Sequence, residues 1–164
     1  MTSVSTQSAQ LSEAHAAFVC GPQSIVAASR NAEQRPSMAR GLGCIVSADR
    51  RTVRILFHPE QATELLEDVR SQGVIAVVFS EPPTHITLQI KGSDARVVET
   101  PPGAEQLRDE HIGQFAQTVM PLGFAPALII GAIRGTPVMP CTVEFTLDSV
   151  FEQTPGAKAG VRLP

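Results

Sequence analysis

The sequence predicts an α+β domain that is mainly β: about six antiparallel strands closed into a small barrel, with helices packed at its periphery. Three observations carry this expectation. Short runs of apolar or alternating residues are separated by short turns. Few of the strands are separated by a crossover helix, which disfavours a doubly wound parallel sheet. The chain has 164 residues and is 43% hydrophobic, enough to bury one core without disulfides or metal.

Residues 10–19 read as a helix, with Ser12 near its N-cap and Leu11, His15, Phe18 and Val19 on one face. Gly21-Pro22 stops it. Three strands follow at 24–29, 36–47 and 52–57, joined by polar turns at 31–35 and 48–51, a pattern that predicts a meander. Gly41 and Gly43 in the second strand point to a bulge or a close backbone approach. Residues 60–72 form an amphipathic helix through Ala62, Leu65, Leu66 and Val69, and Gly73 ends it. The run 74–80 is apolar on both faces and should be covered on both. Residues 85–98 alternate, with His85, Thr87, Gln89 and Lys91 on one side, Ile86, Leu88 and Ile90 on the other, and a bulge expected at Gly92. A helix spans 104–119, with Leu107, Ile112, Phe115 and Val119 inward. Residues 125–133 are compatible with helix or strand. A last strand covers 141–147.

These elements make a single domain over 1–164: an N-terminal helix in 1–21, a barrel core in 22–99, and a helix with the last strand in 100–150. An extended arm in 151–164 would lie on a partner chain.

Thirteen Lys+Arg against sixteen Asp+Glu give a net charge of −3, and the basic residues are scattered. Aromatic content is 4%, without Trp or Tyr. Neither a phosphate-backbone footprint nor a base-stacking platform is present, so nucleic acid is not an expected partner. The longest apolar stretches, 74–79 and 125–133, are too short to span a bilayer. The opening MTSVSTQSAQ lacks the pattern of an export signal, and a cytoplasmic location is expected. Cys20, Cys44 and Cys141 form no CxxC pair and read as reduced, buried thiols. The four His lack metal-ligand spacing.

The segments SIVAASRNAEQRP, SMARGLGCIV, TVRILFHPEQATELLEDVR, VIAVVFS and THITLQIKG, with the ending VFEQTPGAKAG, together resemble the flavin-binding split-barrel family of pyridoxamine 5′-phosphate oxidase. The resemblance covers residues 23–98 and rests on order and spacing. It implies a split β-barrel, a homodimer, and flavin mononucleotide (FMN) held between subunits. It also implies either an FMN-dependent oxidoreductase on a small substrate, a non-catalytic holder of flavin or haem, or a dimeric structural or regulatory protein whose flavin site has decayed.

Two departures bear on the site. Many members place Ser and a nearby Lys or Arg after the third strand to hold the FMN phosphate at a helix start. Here that stretch is His58-Pro59-Glu60-Gln61-Ala62-Thr63-Glu64, with no cation and two carboxylates of the wrong sign. The oxidase itself carries Arg three residues after its Pro, where this chain has Ala39, with Arg40 one later and turned to the opposite face unless a bulge intervenes. The residues expected to contact a flavin are Arg40, Gly41, Leu42, Gly43, Arg54, His58, Thr63, Thr87, Gln89 and Lys91. For Thr87, Gln89 and Lys91 a solvated strand face is the other reading, for Arg40 and Arg54 surface ion pairing, and for His58 a structural cap. No nucleophile–base set or Gly-rich phosphate loop emerges from spacing.

Overall fold

The computed structural model describes residues 9–164; the first eight residues of the opening segment from which the absence of an export signal was read lie outside the described residues. In chain order the elements are α1 (Glu13–Val19), β1 (Ser24–Arg30), β2 (Pro36–Val46), β3 (Thr52–Phe57), α2 (Thr63–Gln72), β4 (Ile75–Ser80), β5 (Thr87–Gly92), β6 (Arg96–Val98), α3 (Ala104–Val119), α4 (Pro126–Arg134), β7 (Cys141–Thr146), β8 (Ser149–Glu152) and β9 (Val161–Arg162). Every strand pair is antiparallel, in the order β6-β7-β3-β2-β1-β4-β5-β8-β9.

The nine strands among the described residues reduce to a barrel of six, with the two-residue β9 added outside the ring on β8. β5 and β6 are halves of one run, and β7 and β8 are halves of another. Lys91 pairs with Ser149 and Arg96 with Glu144, five residues apart on each run, so the two runs stay in one register. Across the break the Asp148 N–H donates to Lys91 O at 2.8 Å. With β4 on the other side of β5 and β3 on the other side of β7, the ring is closed.

The equal spacing leaves no inserted residue at Gly92, where a bulge was expected. Gly92 instead permits a close approach. A Cβ there would lie 2.5 Å from Phe145 Cδ2 and 2.7 Å from Thr146 O. The bulge is in β2, where the step from Gly41 to Cys44 faces the shorter step from Phe57 to Ile55. Gly41 also lies against β1, since a Cβ there would fall 2.4 Å from Ile25 Cγ2.

The barrel interior is aliphatic, with Ile25, Val53, Ile55, Val77, Leu88, Ile90 and Val143 packed around Phe57, Phe79 and Phe145. Leu11 and Val19 join it from the N-terminal segment and α1, and Leu65, Leu66 and Val69 from α2. Ser12 caps α1 by accepting from the His15 N–H at 3.1 Å. The α3–α4 pair lies outside the barrel. Leu42 of β2 and Leu56 of β3 face outward into a second cluster with Ala104, Ile112, Leu107, Ile130 and Ile133. This cover is why β2 alternates up to Arg40 and is buried at every residue from Gly41 to Cys44.

Several sequence expectations shift in detail. The segment 125–133 is helical, with Pro126 in its first turn, where a missing N–H costs nothing. None of its residues is buried, and Leu128 is 67% exposed. α2 begins at Thr63 rather than residue 60, because 59–62 form turns. His85 sits in a turn at φ 63° rather than on β5, and Ile86 is exposed. The tail folds back on its own chain: Glu152 pairs with Val161, and the Leu163 N–H donates to Val150 O at 2.8 Å. Cys20 is exposed rather than buried. No helix among the described residues is long and apolar enough to cross a membrane.

The closure at Gly92 gives a direct test. Gly92→Ala should lower stability by about 1–3 kcal/mol, because part of the clash is with backbone. Gly113→Ala, inside α3 with nothing within 4 Å of its Cβ position, should raise it by up to ~1 kcal/mol. Urea unfolding of both variants measures this.

Candidate functional site

The outer face of the barrel is divided in two. α3 covers the side made by β2 and β3. Within the described chain the side made by β1, β4 and β5 carries no helix. Alternation along each strand sends its odd or even residues to this face, and pairing aligns them into rows. One row runs Arg40, Val26, Val78, Gln89, Phe151, and the next runs Met38, Ala28, Ala76, Lys91, Ser149. A third joins Ser24, Ser80 and Thr87. The floor is therefore small and apolar, while cations stand at both edges. Arg40 and Gln89 are three strand spacings apart, about 14 Å.

Arg40 marks the boundary with α3. Its guanidinium lies 6.0 Å from the Phe115 ring centroid, and Nη1 donates to Ser24 Oγ at 3.4 Å. The β2 bulge comes after Arg40, so Arg40 remains outward and Ala39 inward. Lys91 Nζ stands 4.9 Å over the Phe151 ring, Gln89 Oε1 accepts from Gln153 Nε2 at 3.4 Å, and the Thr87 hydroxyl donates to His85 O at 3.0 Å. Beside Lys91 a groove of about 520 Å³ runs over Ala28 and Ala76, with Arg30 and Asp148 also lining it. Arg30 escaped the sequence reading. The signal was there: the alternation that turns Val26 and Ala28 outward turns Arg30 outward too.

The other expected residues lie elsewhere. Leu42 is buried beneath α3, and Gly43 faces Leu107 of that helix. Gly41 is packed against Ile25. Arg54 belongs to a cross-strand triad: its Nε donates to Glu144 Oε2 at 2.6 Å, and Arg96 holds the other carboxylate oxygen. His58 and Thr63 occupy the corner between β3 and α2, which the 135–140 segment closes. His58 is 4% exposed, and its Nε2 is 3.1 Å from both Thr136 O and Thr136 Oγ1. Thr63 Oγ1 donates to carbonyls of the preceding turn, Glu60 O and Pro59 O. Glu60 Oε2 accepts from Thr136 Oγ1 at 3.5 Å. This corner suits a phosphate poorly: His58 Nε2 is taken up by Thr136, the Thr63 hydroxyl donates within the chain and the Glu60 carboxylate stands beside them, which leaves the buried His58 Nδ1 as the one ring atom without a partner. The outer face fits an anion better, through Arg40 and Lys91.

Arg40 also acts on a group that sequence reasoning passed over. His111 of α3 is 8% exposed, and its pKa is lowered to about 4, chiefly by burial and then by the neighbouring Arg40 charge; a hydrogen bond to the Gly21 backbone opposes the shift.

No family model and no curated protein matches the sequence. Solved structures do match in shape. HupZ from Group A Streptococcus superposes with a TM-score of 0.56 at 14% identity, covering 92% of this chain and 100% of that one. A candidate pyridoxamine 5′-phosphate oxidase from Lactobacillus delbrueckii gives 0.51 at 15% identity, covering 87% and 93%. At such identities the likeness is one of fold: the chain has the split-barrel architecture of the pyridoxamine 5′-phosphate oxidase-like proteins.

His111 sets a pH dependence. As pH falls through about 6.5 the unfolded chain takes up a proton that the folded chain refuses until about 4. Stability is therefore expected to fall across that window, by up to about 3 kcal/mol at its lower end. The urea midpoint should drop between pH 7 and pH 5, and His111→Gln should flatten that slope.

Proposed function

We propose that the chain works as a homodimeric FMN-binding split barrel, with the flavin lying on the β1–β4–β5 outer face between two copies. The observation that carries this reading is the pair of rows across that face, an apolar floor of Val26, Ala28, Ala76 and Val78 with Arg40 at one edge and Lys91 at the other. The floor suits a planar ring, Gln89 offers an amide to its edge, and a cation at either edge, Arg40 or Lys91, suits the phosphate. A second copy would cover the outward residues of β4, whose inward ones the barrel already buries. A bound flavin would supply oxidoreductase chemistry on a small substrate. The protein's own part is to place the ring, exclude water and hold the anion.

Binding should be weak, because the usual phosphate corner is closed by the His58–Thr136 contact. That same closure favours a second reading, a dimer that holds a ligand such as flavin or haem without turnover, or none at all.

Fluorescence titration of FMN discriminates between these. A charge-assisted contact contributes about 1.5–3 kcal/mol, so Arg40→Ala or Lys91→Ala, whichever edge holds the phosphate, should weaken binding by about one to two decades, and the other variant should change it little. Light scattering should give a dimer mass, and Val78→Glu should shift it to monomer and abolish FMN binding together. Tight FMN binding unchanged in all three variants would remove the proposed site. A dimer that ignores FMN at high micromolar concentration would leave the second reading.

A further inference from the structure

The groove beside Lys91 lies across the sheet face from Arg40, and its volume of about 520 Å³ is in the range of small-molecule sites. Register builds it. Ala28 pairs with Ala76, and Ala76 with Lys91, so the three stand in one row across β1, β4 and β5. Arg30, two residues further along β1, faces the same way. The Cα atoms of Arg30 and Lys91 are thus two strand spacings and two residues apart, about 12 Å. Between them the two alanines offer only methyl groups, which leaves a shallow, flat floor. Ser29 Oγ donates to Val74 O at 2.7 Å and ties the end of β1 to the residue before β4.

The charges around this floor are not matched in pairs. Among the described residues neither Arg30 nor Lys91 makes an ion pair or a side-chain hydrogen bond, whereas Arg54, Arg96, Arg108 and Arg134 each have a carboxylate. Lys91 instead stands over the Phe151 ring. Asp148 is the single carboxylate in the lining, so two cations and one anion give the groove a net charge of +1.

We propose that this groove binds a small aromatic carboxylate, with its ring on Ala28 and Ala76 and its carboxylate between Arg30 and Lys91. One negative charge gives both cations a partner. A phosphate dianion fits less well, because Asp148 repels its second charge. On the flavin reading this ligand is the substrate, held at the Lys91 edge while the FMN phosphate takes the Arg40 edge. The role as substrate rests on that reading; binding in the groove does not.

Calorimetric titration of the full chain with cinnamate, first without FMN and then with it, tests the proposal. One saturable site is expected in both conditions. Arg30→Ala and Lys91→Ala should each weaken binding by about tenfold, the lower end for a charge-assisted contact because Lys91 is exposed. Asp148→Asn should tighten it, a gain that a damaged fold would not produce. Ala76→Leu should block the floor and abolish binding, and Arg40→Ala should leave it unchanged. Cinnamyl alcohol, which lacks the charge, should bind about tenfold more weakly or not at all. Four results would overturn the proposal: no saturable cinnamate binding at millimolar concentration, equal binding of the alcohol, a loss confined to Arg40→Ala, or displacement of cinnamate by FMN. A chain that binds cinnamate in this way but ignores FMN would uphold the site and remove the flavin reading alone. A chain that binds FMN but ignores cinnamate would do the reverse.

Discussion

A small barrel closes only where two backbones come nearer than side chains normally allow, and here that happens at Gly92 against Phe145 and Thr146. The contact joins the β5/β6 run to the β7/β8 run in an unbroken register, so neither run ends the sheet. Much else follows from it. β5 is held as the continuation of β4, so Thr87, Gln89 and Lys91 share one outer surface with Val26, Ala28 and Val78. β7 is pinned beside β3, which brings Glu144 between Arg54 and Arg96. A residue inserted at this point would turn every side chain beyond it to the other face.

Closure leaves the outside of the barrel to be shared out. The bulge after Gly41 coincides with the place where β2 passes from open surface to the cover of α3. Arg40 stands on one side of that line and Leu42 on the other, two residues apart. Their fates differ accordingly: Leu42 is core, while Arg40 edges an apolar, uncovered floor and, across the boundary, adds to the burial that lowers the pKa of His111. The segment 135–140 makes a second division. By engaging His58 through Thr136 it turns a corner with helix-start geometry into packed structure.

The barrel was legible because alternation and turn chemistry act locally. The run 52–57 is found as β3, 104–119 as α3, and the alternation of Leu88 and Ile90 marks the inside of β5. What sequence hid was long-range. Nothing local distinguishes Gly92 as a point of contact with β7 rather than a bulge, since both use the missing side chain. Leu42 and Gly43 looked like ligand contacts because the helix that covers them lies some sixty residues later. Arg54 gave no sign of Glu144. The tail, poor in apolar residues, was read as an arm, but its few hydrophobes, Val161 and Leu163, pair back onto β8 through backbone hydrogen bonds that composition does not encode.

The central claim is that a flavin would lie on the β1–β4–β5 face rather than at the β3–α2 corner. Methyl nuclear magnetic resonance of Ala-, Val- and Thr-labelled protein during FMN addition tests it most directly, because an aromatic ring shifts the methyls beneath it. The account predicts shifts at Val26, Ala28, Ala76 and Val78, with Thr63, Thr136 and Val138 unmoved. Shifts centred on Thr63, Thr136 and Val138, with the four floor methyls unchanged, would contradict it.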